Sequence, residues 1–175
     1  MQRLLALSPD PSAQRQIAYM DYSEIMELKI HNPDIKIEER IFDTKSLSVD
    51  YPYTEELKPI VARLGYDGPK AESATHIALL DNKVIGGYEA SVTDNAKPTL
   101  IWVAVSQESE KNRCRAGTTM LLHHEKKAIG NELKEISLTT SIKNTRALSL
   151  YEFLGYQRGE ELYGQIWMIK TLHLN

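Results

Sequence analysis

The chain has 175 residues, of which 42% are hydrophobic and 26% charged, with a formal net charge of −3 and one cysteine. This length favours a single domain over residues 1–175, and the composition excludes disordered, collagen-like and repeat proteins. A nucleic-acid-coating protein is usually more basic, and no apolar run approaches the length of a membrane span. One cysteine allows neither an internal disulfide nor a zinc cluster. We therefore expect a soluble cytoplasmic α/β domain with no nucleic-acid or membrane partner.

The first third of the chain has the least regular pattern. Residues 2–7 predict a strand, and apolar residues at three- and four-residue steps over 11–28 predict one helix or two abutting helices. Asn32-Pro33 ends that pattern, because the residue before a proline avoids the helical region. Residues 35–42 suggest a strand or an extended loop, and residues 54–65 suggest a helix.

The middle of the chain predicts a β-hairpin followed by a buried strand. Residues 76–80 are apolar, residues 81–83 form a turn, and residues 84–92 alternate between apolar and other side chains. After a polar loop, Leu100–Val105 is apolar throughout, which indicates a strand that is buried on both faces. We expect this strand at the centre of the sheet.

The last third alternates helices and strands. It predicts a helix over 116–129, a strand over 135–141, a helix from the capping residue Asn144 to Gly155, and strands over 156–160 and 165–172. Since helices follow strands here, at least part of the sheet should be parallel.

A first candidate site lies where the buried strand leads into the next helix. Arginines flank the cysteine there, and small residues open the helix. Small residues let a ligand approach the backbone, and the first helix amides favour an anion. An ordinary basic loop explains the pattern equally well, and no Walker lysine is present. The candidate phosphate-binding residues are Arg113, Cys114, Arg115, Ala116, Gly117, Thr118 and Thr119.

A second candidate segment is the short helix capped by Asn144. Ala147 and Tyr151 lie one turn apart on its inner face, and Gly155-Tyr156 follows its end. Taken alone, a tyrosine in this position is usually a core residue whose hydroxyl is hydrogen-bonded.

Together with the hairpin, these two segments resemble the GNAT superfamily of acyl-CoA-dependent N-acyltransferases from about Thr75 to Thr171. The family run Asn-x-x-Ala-x-x-x-Tyr-x-x-x-Gly-aromatic is matched fully from Asn144 to Tyr156. The phosphate-loop signature Gln/Arg-x-x-Gly-x-Gly/Ala is matched only in part, in a register that starts at Arg113 or in one that starts at Cys114. The resemblance implies a mixed sheet of six to seven strands with splayed central strands, flanked by about four helices.

The resemblance also implies a mechanism. Acetyl-CoA would be the co-substrate, without a metal, and its acetyl group would pass directly to a primary amine in a ternary complex. Its pyrophosphate would bind at the candidate phosphate residues, and its pantetheine arm would pair with the backbone of Val103, Ala104 and Val105. Tyr151 would protonate the departing thiolate. Asn144 would cap its helix and contact the cofactor arm.

The general base is less well defined. Glu89, on the strand beside the pantetheine-binding one, is our candidate, against the alternatives of an exposed carboxylate without a role and of a water chain. His123 and His124 are adjacent on a helix and point about 100° apart, so they cannot chelate a metal together. We expect one of them to be half-buried and the other exposed.

The acceptor and the partners are open. Residues 32–72 contain nine acidic and six basic residues, which would suit a cationic amine such as a polyamine, an aminoglycoside-like antibiotic or a basic peptide. The alternative is a non-catalytic GNAT-fold module that binds a CoA ester or a protein partner. The incomplete loop signature favours that alternative, and the complete run from Asn144 opposes it. A homodimer also remains open.

Overall fold

The computed structural model describes residues 31–41, 55–64, 73–91, 100–108 and 115–173. The strand expected at 2–7 and the helix expected at 11–28 lie outside these residues. The described elements, in chain order, are β1 (Lys36–Ile41), α1 (Lys58–Ala62), β2 (Ser73–Leu80), β3 (Lys83–Ser91), β4 (Leu100–Val105), α2 (Ala116–Gly130), β5 (Glu135–Ser141), α3 (Thr145–Phe153), β6 (Gln157–Leu162) and β7 (Gln165–Thr171).

The seven described strands form two sheets. The first has the order β1-β2-β3-β4 and the second the order β5-β7-β6, and every described strand pair is antiparallel. β4 and β5 lie side by side but share no hydrogen-bonded ladder. The mixed α/β fold and the splayed central strands are therefore confirmed. The expected parallel pairing is not seen, because the strands that α2 connects diverge instead of pairing. Three helices are described, against about four expected.

The hairpin of β2 and β3 follows from its turn. Asp81 and Asn82 have φ values of 51° and 61°, the left-handed pair that a two-residue type I′ turn requires. Further along β3, a Cβ on Gly86 would lie 2.4 Å from the Ala104 carbonyl oxygen of β4. Glycine is thus needed at this position because the two backbones approach too closely for any side chain.

Hydrophobic residues cover both faces of β4. On one face, Trp102 and Ala104 pack in a cluster with Leu57, Ile60 and Val61 of the α1 segment. The opposite face packs on the larger cluster that includes α2 and α3, where Val103 and Val105 are only partly buried. Each face of β4 therefore has both buried and partly buried residues, with Ile101 partly buried on the α1 face and Leu100 buried on the other. Among the described residues, no helix has the length and apolarity needed to cross a membrane.

Candidate active site

β4 has one edge bonded to β3 and one edge that faces β5. Ser106 N–H donates to the Ile85 carbonyl of β3 at 2.7 Å. Since backbone groups alternate in direction along a strand, Ala104 points its N–H and C=O toward β3, while Val103 and Val105 point theirs the opposite way. We call this second edge, carrying the backbone groups of Val103 and Val105, the open edge of β4. It is the edge at which β4 and β5 diverge.

Arg63 already contacts the open edge. It follows α1, and its Nη2 donates to the Val105 carbonyl at 2.6 Å. A positive charge therefore lies at the carboxyl end of β4, directly before the loop that leads to α2. This contact could not be predicted from the sequence, because Arg63 and Val105 are 42 positions apart and share no motif.

The start of α2 lies against the end of β4 and against α3. A Cβ on Gly117 would be 3.7 Å from a methyl group of Val105 and 3.8 Å from one of Leu150. Arg115 caps the helix with a left-handed φ of 61° and is exposed, while Ala116 is buried. The first turn of α2 is therefore next to the open edge of β4. Its leading N–H groups have no acceptor within the helix, as at any helix start.

Not every candidate phosphate residue is equally available. The Thr119 N–H donates to the Arg115 carbonyl at 3.0 Å, and its Oγ1 accepts a hydrogen bond from Asn32 N–H at 2.9 Å. The amides that can face an anion are thus those of Ala116, Gly117 and Thr118. Arg113 and Cys114 lie outside the described residues.

The helix α3, whose Leu150 lies beside Gly117 at the start of α2, carries Tyr151. Asn144 Oδ1 accepts from Ala147 N–H at 3.3 Å, which confirms the predicted cap. The helix ends at Phe153, and Gly155 follows with a φ of 89°, which reverses the chain so that Tyr156 packs on Tyr151 with ring centroids 5.8 Å apart. Tyr151 is 7% exposed, and burial raises the pKa of its hydroxyl to about 12. It therefore keeps its proton throughout the neutral range.

Glu89 is not the exposed carboxylate that was one alternative from sequence. It has no solvent-accessible surface, and its Oε2 accepts a 2.6 Å hydrogen bond from Trp102 Nε1 on β4. The carboxylate lies on the α1 face of the sheet, since Glu89 and Trp102 are directly opposite in the ladder.

A second group of ionisable side chains lies on the other face, away from the start of α2. His76 stacks on Tyr88 with ring centroids 4.2 Å apart, and the Tyr88 hydroxyl is 2.7 Å from His123 Nδ1. His76 and Tyr88 line a cleft of about 80 Å³, and Glu39 pairs with Lys127 at its rim. Burial lowers the pKa of His76 to about 4 and of His124 to about 3, so both are neutral at pH 7.

The histidine expectation was partly wrong. His123 is half-buried, as expected of one of the pair. His124 is buried instead of exposed, because the packing of α2 on the sheet covers this side chain as well. In the part of the chain that the structure describes, no three histidine, cysteine, aspartate or glutamate side chains are grouped closely enough to hold a metal ion.

Residues 39–156 match the family model described as acetyltransferase (GNAT) family, which is more than half of the chain. The chain belongs to the GNAT acetyltransferase family. It is therefore an acyltransferase, and the family resemblance of its motifs is confirmed. No curated protein matches this GNAT chain in sequence.

Several solved structures share the fold of this GNAT protein. The PaiA N-acetyltransferase from Thermoplasma acidophilum, in complex with coenzyme A, is 22% identical with a TM-score of 0.51, and the match covers 58% of this chain and 62% of that one. A GNAT acetyltransferase from Elizabethkingia anophelis with acetyl-CoA bound is 16% identical (TM-score 0.54; 80% and 99% covered). The IAA acetyltransferase from Bacillus cereus is 19% identical (TM-score 0.53; 79% and 99% covered).

One feature of the site was missed in the sequence. Glu89 pairs with Trp102, but the next residue, Ala90, pairs with Leu100, so Ile101 is an extra residue in β4. This is a β-bulge, which bends a strand and interrupts its ladder. No glycine or proline marks it, so its signal could come only from the register of the two strands.

Proposed function

We propose that this protein transfers an acetyl group from acetyl-CoA directly to a primary amine in a ternary complex. The observation that carries the proposal is that the open edge of β4, the first turn of α2 and the helix of Tyr151 converge, as the neighbours of Gly117 demonstrate. Family membership and the CoA-bound structural neighbours support acyl-CoA as the donor class.

In this proposal the cofactor is held by backbone groups and by charge. The pyrophosphate binds at the amides of Ala116 to Thr118, where the helix dipole and Arg115 favour an anion. The pantetheine arm pairs with the open edge of β4 through the backbone groups of Val103 and Val105. The backbone groups of Ala104 point toward β3 and take no part in this pairing. Asn144 fixes the start of α3 and contacts the arm. Arg63 gives up the Val105 carbonyl if the arm takes it.

The chemistry then needs an oxyanion donor and an acid. The neutral amine attacks the thioester carbonyl, and the Val103 N–H on the open edge is a preorganised donor for the developing oxyanion. As the C–S bond breaks, Tyr151 donates its proton to the departing thiolate, and the proton that the attacking nitrogen loses on becoming an amide restores the Tyr151 hydroxyl. An ordinary thiol has a pKa of about 8.5, well below that of Tyr151, so the proton transfer from Tyr151 would be uphill in water. Burial in the slot raises the pKa of the thiol as well, which reduces this difference.

The acceptor is proposed to be a cationic amine. Of the two expected routes for its proton, Glu89 and a water chain, the burial of Glu89 favours the water chain. The support for the acceptor is the acidic excess of residues 32–72, most of which lie outside the described residues. A homodimer and a cytoplasmic location remain predictions as well.

The test is a thiol-release assay with acetyl-CoA and a panel of amines that includes spermidine, an aminoglycoside and a lysine-containing peptide. We expect acetyl-CoA to raise the melting temperature and at least one cationic amine to release free CoA and yield an acetamide. Binding of acetyl-CoA without acetylation of any amine would instead favour the non-catalytic module.

A further inference from the structure

We propose that Glu89 and Trp102 are positioning residues, whose side-chain hydrogen bond holds the β4 bulge in the shape that acyl transfer requires. The inference rests on the proposed function, because it concerns the open edge of β4 as the binding edge for acyl-CoA. It assigns Glu89 a role through the backbone of β4, in place of proton transfer with the substrate.

The geometry of the pair is specific. Glu89 and Trp102 are directly opposite on β3 and β4, both side chains are buried, and the Nε1–Oε2 distance is 2.6 Å. The two strands are therefore tied together by side chains as well as by their backbone ladder.

The tie lies next to the bulge. Ile101, the extra residue, precedes Trp102 directly, and Val103, the first residue of the open edge, follows it. A bulge interrupts the regular ladder, so the backbone pairing restrains the strand less there than in a regular pair of strands. The bond from Trp102 to Glu89 supplies a restraint at this point. It fixes the direction in which the Val103 N–H leaves the strand.

Burial argues for this role over that of a base. A general base must come within hydrogen-bond reach of the proton that it removes, directly or through one water. Glu89 has no accessible surface, and one of its oxygens already accepts from Trp102. A buried carboxylate is costly to desolvate unless hydrogen bonds compensate it. A buried carboxyl group at Glu89 is explained if the hydrogen bond that it accepts holds the backbone of β4 in the shape that acyl transfer requires.

The deciding experiment compares Glu89→Gln, Glu89→Ala and Trp102→Phe with the wild type in the thiol-release assay. Gln offers an amide oxygen that can accept from Trp102 Nε1, whereas Ala removes the acceptor and Phe removes the donor. We expect kcat to fall about 10- to 100-fold in Glu89→Ala and in Trp102→Phe, because a small misplacement of a reacting group costs on this scale. Glu89→Gln should recover most of the kcat lost in Glu89→Ala.

Two further readouts separate positioning from general loss of structure. The KM for acetyl-CoA should change less than about threefold in all three variants, because the phosphate site and the end of β4 are untouched. Amide hydrogen exchange of residues 100–105 should be faster in Trp102→Phe than in the wild type. If Trp102→Phe does not fold, the Glu89→Ala and Glu89→Gln pair decides alone.

The outcomes are distinct. Equal losses in Glu89→Gln and Glu89→Ala would show that the charge is needed, which would overturn the positioning role in favour of a base. A wild-type kcat in Trp102→Phe would also overturn it while leaving the proposed function intact. Absence of turnover by the wild-type protein with every amine would refute the proposed function, and this inference with it.

Discussion

On one edge, β4 is joined to β3 by an antiparallel ladder in which Gly86 lets the Ala104 carbonyl approach closer than any Cβ would allow. On its open edge, β4 faces β5 without a ladder, and the Val105 carbonyl bonds to the exposed Arg63 instead. The edge that pairs with β3, which we call the closed edge, has no room for a ligand. The open edge has backbone groups that can bind a ligand. We therefore expect substitutions at the closed edge to change the free energy of unfolding, and substitutions around the open edge to change CoA binding or turnover.

The largest effect is expected for Tyr151→Phe, in the helix that packs beside the start of α2. The ring and its packing on Tyr156 remain, but the proton for the thiolate is lost, so turnover should fall by about 100- to 10,000-fold. The melting temperature and the affinity for acetyl-CoA should stay close to those of the wild type.

Tyr163→Phe is the matched control for that variant, because Tyr163 is 95% exposed at the β6–β7 turn. It should keep the wild-type rate. If Tyr151→Phe retains more than about half of the wild-type rate while chemistry is rate-limiting, Tyr151 is a core residue and the proton comes from elsewhere.

The next effect is a loss of stability in acid, in the cluster of His76, Tyr88 and His123. The pKa of His76 is lowered to about 4 in the folded protein, from about 6.5 when unfolded. The unfolded chain therefore binds the proton first. The stabilisation is complete above pH 6.5 and is lost as the pH falls from 6.5 through 4, to a total of about 3 kcal/mol, of which about 2 kcal/mol is lost by pH 5.

Urea unfolding at pH 7.5 and pH 5.0 measures this loss. His124 adds a loss of the same sign, and the groups that face His76 (Glu39, Tyr88, His123 and Lys127) stay in place in the comparison with His76→Phe. That variant keeps a ring on Tyr88 but cannot titrate, so its stability should depend less on pH. An equal pH dependence in both proteins would contradict the buried neutral state of His76.

At the closed edge itself, Gly86→Ala should reduce the free energy of unfolding by about 1–3 kcal/mol or more, because the added methyl group meets a backbone oxygen that cannot move independently. Gly130→Ala provides the contrast. Nothing lies within 4 Å of its added Cβ, at the end of α2, so alanine should be neutral or stabilising there by up to about 1 kcal/mol. Similar stabilities of the two variants would contradict the close approach of the Ala104 carbonyl to Gly86.

The smallest effect is expected at the start of α2. Replacing Arg113 and Arg115 with glutamate should weaken CoA binding at least about tenfold at moderate salt, through repulsion of the phosphates, and the loss should shrink as the ionic strength rises. Calorimetry with CoA measures it. Glutamate at Lys126 and Lys134, both exposed and toward the far end of α2 or just beyond it, changes the net charge equally and should leave the affinity unchanged. Unchanged affinity in the arginine variant would exclude the phosphate site.

Local signals explain which elements were predictable. Asn144 and Gly155 predicted both ends of α3, because a side-chain cap and a left-handed glycine act within a few residues of each other. The hairpin was equally accessible, since Asp81 and Asn82 are turn residues between two apolar runs. Tyr151 was identified as a site residue through the family run in the same helix. Its helix lies beside the start of α2 through Leu150, and its role as the acid stays a prediction.

Contacts between distant segments explain what was missed. The bulge at Ile101 exists only as a mismatch between two strands, and the Arg63–Val105 bond joins segments 42 positions apart. Glu89 belongs to a strand in which apolar and other side chains alternate, and this pattern does not tell whether the face that carries Glu89 becomes buried. His124 is buried by the packing of α2, whereas the sequence predicted that one of the two adjacent histidines would be exposed.

By itself, the sequence determined the family, the order of the described elements and the two segments that carry the candidate site, because caps, turns and apolar periodicity depend on neighbours within a few residues. The tertiary structure alone decided that β4 and β5 diverge without pairing, that Glu89 is sealed against Trp102, and that His76 is buried in its neutral form. These features depend on the register between strands and on the loss of water around a side chain. Both arise only when segments far apart in the chain pack together.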